Sequence, residues 1–381
     1  MIIGLVGKPS AGKSSFFKAA TMIEVAISSI PFTTIKPNVG IAYVSIDCVC
    51  KEFGVKCNPR QGFCLNGKRF IPIKLIDVGG LIPGSHLGRG IGNKFLDELR
   101  QADGLIQIVD LSGLTDEEGK PTSNFDPEIE IKFLEDEINK WFYEVIERNL
   151  KKIRNWKRMD KNELKNKLFE LLSGLQVKKE HIEIALEEVG IENLEEFSKR
   201  LRELAKPILI CGNKIDLKEA QKNYERLKEK YKNLIPVSAE AEIALKKAAK
   251  LGLINYLPGN GFEIKGILNE AQRKGLEKIK EIIKKFGSTG VQECLNKIVF
   301  EILNFIAVYP VADVNKLTDK KGNVLPDVFL VEKGTKLKEF AFKIHSEIGE
   351  KFIAGIDART KRKLSGDYEL KHRDVIEIKH R

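Results

Sequence analysis

The chain begins with a phosphate-binding loop, and this loop constrains the fold more than any other feature. An apolar run, Ile2–Val6, is followed by residues 7–14, which read G-x-x-x-x-G-K-S. Glycine permits the tight backbone path in which several N–H groups converge on one anion. The pattern predicts a buried strand, the loop, and then a helix that begins near Lys13 with the positive end of its dipole at the phosphates.

The residues of this loop have separate tasks when a nucleoside triphosphate is bound. The Lys13 ammonium would reach the β- and γ-phosphates, and the Ser14 hydroxyl would be a ligand of Mg²⁺. Backbone N–H groups would bind the other phosphate oxygens. The predicted nucleotide-binding residues of the loop are Gly7, Lys8, Pro9, Ser10, Ala11, Gly12, Lys13, Ser14 and Ser15.

Length and composition predict a soluble globular protein of two or three domains. The chain has 381 residues, of which 42% are hydrophobic and 31% charged. It has no run of about 18 apolar residues and no secretory signal, so we expect a cytoplasmic protein that does not enter a membrane. Its 65 basic and 54 acidic residues give a net charge of +11, which favours polyanionic partners such as nucleic acid.

A proline- and threonine-rich segment, residues 30–40, precedes the next predicted strand. In P-loop hydrolases a threonine in such a loop closes over Mg²⁺ and the γ-phosphate, and is released after hydrolysis. We assign this role to Thr34, with Thr33 as the alternative. A threonine that only forms a turn is the other interpretation.

A second phosphate motif, D-x-x-G, follows the predicted strand at residues 70–76. Asp77 would hold Mg²⁺ through water, and the Gly80 N–H would meet the γ-phosphate. Leu81 stands where GTPases of the Ras type carry the glutamine that orients water, and its side chain cannot do this. His86 is the nearest candidate for that task in the sequence, and a solvated loop histidine is the alternative.

A guanine-recognition motif completes the predicted site. Apolar runs at Gly104–Asp110 and residues 207–212 predict buried parallel strands of a doubly wound α/β sheet. The second run leads into residues 213–216, N-K-x-D, where the Asp216 carboxylate can accept hydrogen bonds from the N1–H and 2-amino groups of guanine, which adenine lacks. The predicted base-binding residues are Asn213, Lys214, Asp216, Ser238 and Ala239.

A charged, helical insertion is predicted at residues 121–205, as a hairpin or short bundle. Its predicted apolar face consists of Phe142, Ile146, Leu150, Ile153, Leu164, Leu168 and Leu171. Basic residues recur at spacings of three and four and would form one helical stripe suited to a phosphate backbone, or else a solvated face. These residues are Lys151, Arg154, Arg158, Lys161 and Lys165, with Trp156 nearby.

The C-terminal part is predicted to be a β-grasp-like α+β unit. Strands are expected at residues 306–311, 328–331 and 375–378, with a helix at residues 337–348. The predicted domains are residues 1–120 and 206–304 for the nucleotide-binding domain, 121–205 for the inserted arm, and 305–381 for this unit.

Four of the six cysteines lie within 17 residues: Cys48, Cys50, Cys57 and Cys64. Four thiolates could bind Zn²⁺, but the spacing C-x-C-x₆-C-x₆-C lacks the paired C-x₂-C motifs of common zinc sites. Disulfides or packed thiols explain the same residues, and we expect metal-free thiols. The apolar surroundings of Cys211 and Cys294 predict that both are buried.

The motif segments together resemble the Obg-related GTPases, specifically the archaeal form of the YchF-like branch. The resemblance rests on residues 7–14, 31–40 (PFTTIKPNVG), 77–93 (DVGGLIPGSHLGRGIGN) and 213–216, and on a C-terminal segment that looks like a TGS domain. It covers essentially the whole chain, including the helical insertion. It implies a P-loop G domain with Mg²⁺ as cofactor, and a regulator that associates with ribosomes or RNA.

We therefore interpret the chain as a slow, Mg²⁺-dependent GTPase that binds GTP and GDP, is monomeric, and contacts a ribosome or structured RNA. Its predicted catalytic residues are Lys13, Thr34, Gly80 and His86. Many relatives in the YchF-like branch have an altered base motif and prefer ATP, whereas the motif here is intact. The alternatives are an ATP-preferring hydrolase of the same family, and an RNA-binding scaffold with weak nucleotide turnover.

Overall fold

A seven-stranded sheet carries the phosphate-binding loop in the computed structural model, which describes residues 1–22, 38–79 and 98–381. The strands are β1 (Ile2–Val6), β2 (Val39–Asp47), β3 (Phe63–Leu65), β4 (Lys68–Asp77), β5 (Gly104–Asp110), β6 (Ile208–Asn213) and β7 (Leu234–Pro236). Their order is β2-β4-β1-β5-β6-β7, and β3 forms a hairpin with β4. The pairs β4–β1, β1–β5, β5–β6 and β6–β7 are parallel. The predicted P-loop α/β fold is confirmed.

The apolar runs form the predicted strands because parallel strands are covered on both faces. All seven residues of β5 are buried, and four of the five in β1. The hairpin between β3 and β4 turns at Asn66 and Gly67, whose φ angles are 50° and 72°. Both values lie in the left-handed region that asparagine and glycine tolerate and that a two-residue hairpin turn requires.

The chain divides into two compact units. Among the described residues, the first takes in 1–22, 38–42, 73–79 and 98–294, and the second takes in 43–72 and 295–381. The predicted domain boundaries stay predictions. The helices of the first unit are α1 (Lys13–Thr21), α2 (Pro127–Leu150), α3 (Lys161–Leu172), α4 (Lys179–Glu188), α5 (Leu194–Ala205), α6 (Lys218–Leu227), α7 (Ala239–Lys250) and α8 (Glu270–Phe286).

The insertion is a bundle formed by α2, α3, α4 and α5. Helix α2 begins at Pro127, a residue that is favoured in the first turn of a helix. The Asp126 side chain caps this end by accepting a hydrogen bond from the Glu128 N–H. The predicted apolar face is buried except at Leu171, which is 37% exposed. The next residue, Leu172, ends α3 and is buried. A 3₁₀ turn, Ser173–Leu175, then places Leu175 in the same core.

The predicted continuous basic stripe is wrong. Helix α2 ends at Leu150, Asn155 has a φ of 55°, a 3₁₀ turn spans Trp156–Arg158, and Asp160 caps α3. The exposed basic side chains therefore gather on the connection between two helices, which we call the basic turn: Lys151, Lys152, Arg154, Lys157, Arg158 and Lys161. Lys165 lies farther along α3 and pairs with Glu183 of α4 at 3.0 Å.

The second unit contains the predicted β-grasp fold, at residues 305–381. Its strands are β10 (Phe305–Val311), β11 (Phe329–Glu332), β12 (Phe352–Asp357), β13 (Lys363–Leu364) and β14 (Val375–His380), in the order β11-β10-β14-β12-β13. Phe340 of helix α10 (Leu337–Ile344) packs in its core. The predicted helix is split at His345, whose extended backbone caps a second helix, α11 (Ser346–Glu350). The helix α9 (Val291–Lys297) and a π-helix, Ile298–Ile302, precede β10.

Short strands were missed by the sequence patterns. They are β12 and β13, and a hairpin of β8 (Ile254–Tyr256) and β9 (Phe262–Ile264) in the first unit, where mostly helix was expected. Strand β13 has two residues, and β8 and β9 have three each, which is too few to display a periodic pattern. Within the described part of the chain, no helix is both long and apolar enough to cross a membrane.

A buried ion pair ties the insertion to the phosphate-binding loop. Lys8 of the loop lies 3.3 Å from the Glu130 carboxylate in α2, and both side chains are 2% exposed. The Lys8 ammonium also donates to the Thr115 carbonyl at 2.7 Å and lies 4.4 Å from the centre of the Phe125 ring. Burial raises the pKa of Glu130 to about 7, although the Lys8 charge acts in the opposite direction.

We expect Lys8→Met to lower the free energy of unfolding by about 3–5 kcal/mol at pH 8, because it leaves the Glu130 carboxylate buried without its cation. Because the pKa of Glu130 is raised in the folded state, the folded protein loses stability as pH rises from the unfolded pKa of 4.5 through the folded pKa. The deficit should therefore be smaller at pH 5. Urea denaturation at both pH values measures it.

The double variant Lys8→Met/Glu130→Met is the control for this ion pair. It should recover most of the lost stability, since an apolar pair leaves no buried charge. A double variant no more stable than Lys8→Met would show that the deficit does not come from the unpaired carboxylate.

Candidate functional site

The loop between β1 and α1 has the backbone path that the glycines predict. Gly7, Ser10 and Gly12 have φ angles of 151°, 62° and 98°. A Cβ atom at Gly7 would lie 2.4 Å from the Ile108 carbonyl oxygen, and one at Gly12 would lie 2.1 Å from Nδ2 of Asn213. Both positions therefore require glycine, and α1 begins directly at Lys13.

The Lys13 side chain lies across this loop. Its Nζ donates to the carbonyl oxygens of Gly7 and Lys8, both at 2.9 Å. Burial lowers the pKa of Lys13, while the charges of Asp77 and Glu130 oppose that shift. The ammonium is thus held at the loop by two uncharged carbonyl acceptors. Phosphate oxygens could replace these carbonyls as acceptors and would form stronger, charge-assisted hydrogen bonds.

Two predicted Mg²⁺ ligands lie together at the end of the loop. The Ser14 hydroxyl donates to the Asp77 carboxylate at 3.4 Å, with Ser14 on the first turn of α1 and Asp77 at the end of β4. Burial raises the pKa of Asp77, and the charge of Lys13 and the Ser14 hydrogen bond lower it in part. A hydroxyl and a carboxylate oxygen are hard donors, so the residues present fit Mg²⁺.

Asn213 connects the base motif to the phosphate-binding loop. Its side chain is 3% exposed, donates to the Ala11 carbonyl at 3.1 Å and accepts from the Ala239 N–H at 3.2 Å. Both functions of one amide are therefore used within the site. Asn213 thus joins two other predicted segments: Ala11 of the phosphate-binding loop, about 200 positions away, and Ala239 at the start of α7.

Asp216 lies at the exposed edge of the site. Its carboxylate accepts a hydrogen bond from the Ser238 hydroxyl at 2.7 Å, which fixes the orientation of the side chain. Ser238 in turn accepts from the Ala241 N–H at 3.2 Å as the N-cap of α7. One Asp216 oxygen thus has a partner that holds it in place, while the carboxylate faces the edge where a base could approach.

Lys214 has a partner that the sequence analysis missed. Its Nζ lies 2.7 Å from the carboxylate of Asp110, the last residue of β5, which is fully buried. Burial raises the pKa of Asp110, but hydrogen bonds from Lys214, Ser112 and Thr115 lower it below its usual value overall. The signal was an acidic residue at the end of a strand whose residues are all buried.

Other loop residues are used in ways that the motif does not specify. The Ser15 hydroxyl donates to Glu240 of α7 at 2.8 Å, and the Lys8 side chain belongs to the buried ion pair with Glu130. A Cβ at Gly119 would lie 2.7 Å from the Pro9 carbonyl oxygen, so the segment after β5 packs closely against the loop. Any contact of Lys8 with a nucleotide would come from its backbone.

Several predicted site residues lie outside the described residues. They are Thr34 and its alternative Thr33, and Gly80, Leu81 and His86 of the second phosphate motif. Their assignments stay predictions.

The four clustered cysteines are brought together in the second unit. The Sγ atoms of Cys48, Cys50, Cys57 and Cys64 all lie within 4.8 Å of one another. Hydrogen bonds from neighbouring thiols lower the pKa of the Cys48 thiol well below its usual value. Cys211 and Cys294 are fully buried, as their apolar surroundings predict.

Models of three protein families match successive parts of the chain. Residues 2–153 match a family described as 50S ribosome-binding GTPase. Residues 211–313 match the domain described as Obg-like GTPase YGR210-like, G4 motif-containing, and residues 315–380 match the TGS domain.

Individual relatives extend the similarity over the whole length. An uncharacterised GTP-binding protein of Methanocaldococcus jannaschii is 50% identical over 388 residues, which cover 99% of this chain and 98% of that one. The ribosome-binding ATPase YchF of Bacillus subtilis is 31% identical over 220 residues, or 55% of each chain. The crystal structure of a GTP-binding protein from Pyrococcus horikoshii OT3 superimposes with a TM-score of 0.79 at 38% identity, covering 100% of both chains.

The loop geometry, the matched families and the full-length similarity agree with one another. The chain belongs to the Obg-like GTPases, in the YGR210- and YchF-like branch that carries a C-terminal TGS domain.

Proposed function

We propose that this protein is a Mg²⁺-dependent GTP switch that hydrolyses GTP slowly and regulates translation through contact with ribosomal or other structured RNA. The observation that carries the proposal is the Asn213 amide, which joins the phosphate-binding loop at Ala11 to the base motif at Ala239. A site assembled in this way can bind the phosphates and the base of one nucleotide at once.

Guanine is the base that the polar groups suit. Asp216 keeps its carboxylate at the exposed edge of the site, oriented by Ser238 at 2.7 Å. A carboxylate has only acceptors, so it matches the adjacent N1–H and 2-amino donors of guanine, while adenine presents no such pair. A base lacking these donors would make neither hydrogen bond to the carboxylate, and this loss discriminates against adenine.

We expect the full chain to bind GTP with Mg²⁺ more tightly than ATP, by at least about 100-fold, because adenine cannot pair with Asp216. Competition between the two nucleotides in a binding titration measures this. Preference for ATP, the nucleotide that the Bacillus relative is named for hydrolysing, would overturn the guanine assignment.

The variant Asp216→Asn tests the same contact with a matched pair of ligands. It should lose affinity for GTP and gain affinity for xanthosine triphosphate, whose second ring carbonyl accepts a hydrogen bond from the new amide. Equal loss for both nucleotides would indicate a damaged site. If the parent protein binds neither GTP nor ATP at millimolar concentration with Mg²⁺, it is an RNA-binding scaffold.

Hydrolysis in this proposal depends on charge stabilisation rather than on a strong general base. Lys13 would bind the β- and γ-phosphates, Ser14 and Thr34 would hold Mg²⁺ directly and Asp77 through water, and the Gly80 N–H would contact the γ-phosphate. When bound, Mg²⁺ neutralises charge on the phosphate oxygens. Leu81 has no polar atom with which to orient water, so a partner that completes the site should be required for fast turnover.

We expect an intrinsic single-turnover rate on the order of 10⁻⁴ to 10⁻² s⁻¹, because an orienting glutamine is replaced by Leu81. Leu81→Ala should change this rate by less than about threefold, whereas Lys13→Ala should abolish nucleotide binding. Rapid mixing of the full chain with GTP measures the rate. A value above about 1 s⁻¹ for the isolated protein would contradict the proposed mechanism.

RNA contact is assigned to the basic turn at the end of α2. Its basic side chains are exposed, and Trp156 lies among them beside a cleft of about 640 Å³. Exposed cations bind a phosphate backbone, and an aromatic ring can stack on an unpaired base. The ribosome is the proposed source of that RNA because ribosome binding appears in the matched family description and in the name of the Bacillus relative.

Reversing Lys151, Arg154, Arg158 and Lys161 to Glu should weaken cosedimentation with ribosomes by more than about tenfold at physiological salt, and should flatten its salt dependence. GTP binding should not change. The matched control reverses four exposed basic residues of α8: Arg273, Lys278, Lys280 and Lys284. Equal cosedimentation of the basic-turn variant and the parent across the salt series would exclude the basic turn as the contact.

A further inference from the structure

The cysteine cluster has the dimensions of a tetrahedral metal site. The Sγ atoms of Cys48 and Cys57 are 3.8 Å apart, as are those of Cys50 and Cys64, and all four lie within 4.8 Å. A tetrahedron of sulfurs bound to zinc at ~2.3 Å has edges of ~3.8 Å. The sulfurs are thus near the separation that one zinc ion requires.

Three separate pieces of chain supply these sulfurs. Cys48 and Cys50 follow the end of β2, Cys57 lies in the next loop, and Cys64 lies in β3. The Cys48 N–H donates to the Gly67 carbonyl at 2.8 Å, so the β3–β4 hairpin is fixed against the first pair. The backbone therefore gathers the thiols, although their spacing in sequence is not that of a common zinc motif.

The surroundings suit a negatively charged centre. One Zn²⁺ with four thiolates has a net charge of −2, and a buried charge requires a nearby counter-charge. Arg69 is 1% exposed, and its guanidinium donates to the carbonyls of Leu325 at 3.0 Å and Pro326 at 2.8 Å. Its Nε has no hydrogen-bond partner among the described residues, and Arg69 lies directly opposite Cys64 in the β3–β4 hairpin.

A second polar group points at the cluster. The Tyr309 hydroxyl, buried on β10, lies 3.9 Å from the Cys48 sulfur and can donate a hydrogen bond to it. Donors of this kind stabilise a metal-bound thiolate and orient it. Tyr309 and Arg69 belong to the same compact unit as the four cysteines.

Other uses of four adjacent thiols fit less well. A disulfide requires sulfurs at about 2.05 Å, so either 3.8 Å pair would have to close by movement of the chain. A cluster of two or four irons places thiolates on different irons and separates them more widely than one tetrahedral ion does. Four ligands from the protein also leave no open coordination position, which is typical of a structural site.

We propose that Cys48, Cys50, Cys57 and Cys64 bind one Zn²⁺ ion that holds residues 48–64 in a single conformation. The thiols lose their protons on binding. This reverses the expectation of metal-free thiols drawn from the sequence spacing. The metal would hold the loop in place for its contacts with the β-grasp fold: Arg60 with Asp319 at 2.7 Å, the Asn58 N–H with Val324 at 3.0 Å, and Arg359 with Glu52.

The test is the metal content of the full chain, purified under reducing conditions without added metal. We expect about one zinc per chain by elemental analysis, released stoichiometrically when a mercurial reagent blocks the thiols. The apo protein should then bind Co²⁺ with the thiolate charge-transfer absorption of a tetrahedral site. Metal-free protein that also fails to bind Zn²⁺ and Co²⁺ would overturn the proposal, and so would stoichiometric iron.

Cysteine variants separate this site from adventitious zinc. Cys57→Ser/Cys64→Ser should lower zinc affinity by more than about 100-fold. Changing only a residue that hydrogen-bonds to a metal ligand lowers affinity about 10–100-fold, and this variant removes two ligands themselves. It should also expose residues 48–64 to proteolysis. The control Cys211→Ser/Cys294→Ser alters the two buried cysteines outside the cluster and should keep its zinc. Loss of zinc from both double variants alike would contradict the assignment.

Discussion

The parallel pairing of the central strands is the constraint on which the nucleotide site depends. Strands β1, β4, β5 and β6 run in the same direction, so their carboxyl ends meet at one edge of the sheet. That edge carries Gly7, Asp77, Asp110 and Asn213, each at or directly after the end of its strand. Ligands of open α/β sheets bind at this edge. A single property of the backbone thus collects residues from four distant segments, before any side-chain contact is considered.

Buried polar contacts then connect this edge to the parts that surround it. The Lys8–Glu130 ion pair joins the phosphate-binding loop to α2, and α2 leads to the basic turn. Such a pair costs desolvation energy, and its directional hydrogen bonds hold one arrangement of loop and helix. In the Obg-like GTPase described here, the loop that binds phosphate and the helix that bears the proposed RNA contact therefore share one buried contact within the first unit.

The second unit is held together differently. Its β-grasp core is apolar, with Phe340 and Ile376 fully buried, and residues 48–64 contact it through polar groups such as the Asn58 N–H, which donates to the Val324 carbonyl. Exposed pairs such as Arg60 with Asp319 contribute about 1 kcal/mol or less. The proposed metal ion would add a constraint on this loop, because it would join four of its side chains at one point.

The amino-acid sequence by itself determined the phosphate-binding loop, the long strands and helices, and the Asn213–Asp216 base motif, because glycine positions, apolar periodicity and cap residues act within a few residues of each other. Only the tertiary structure decided which partners Lys8, Lys214 and Arg69 have, since each contacts residues more than 100 positions away. It also broke the expected basic stripe at Asn155, where a left-handed residue interrupts the helical period. The cysteines show the difference most clearly. Their spacing argued against a metal site because ligand motifs describe sequence distance, whereas coordination depends on distance in space, which the β3–β4 hairpin sets.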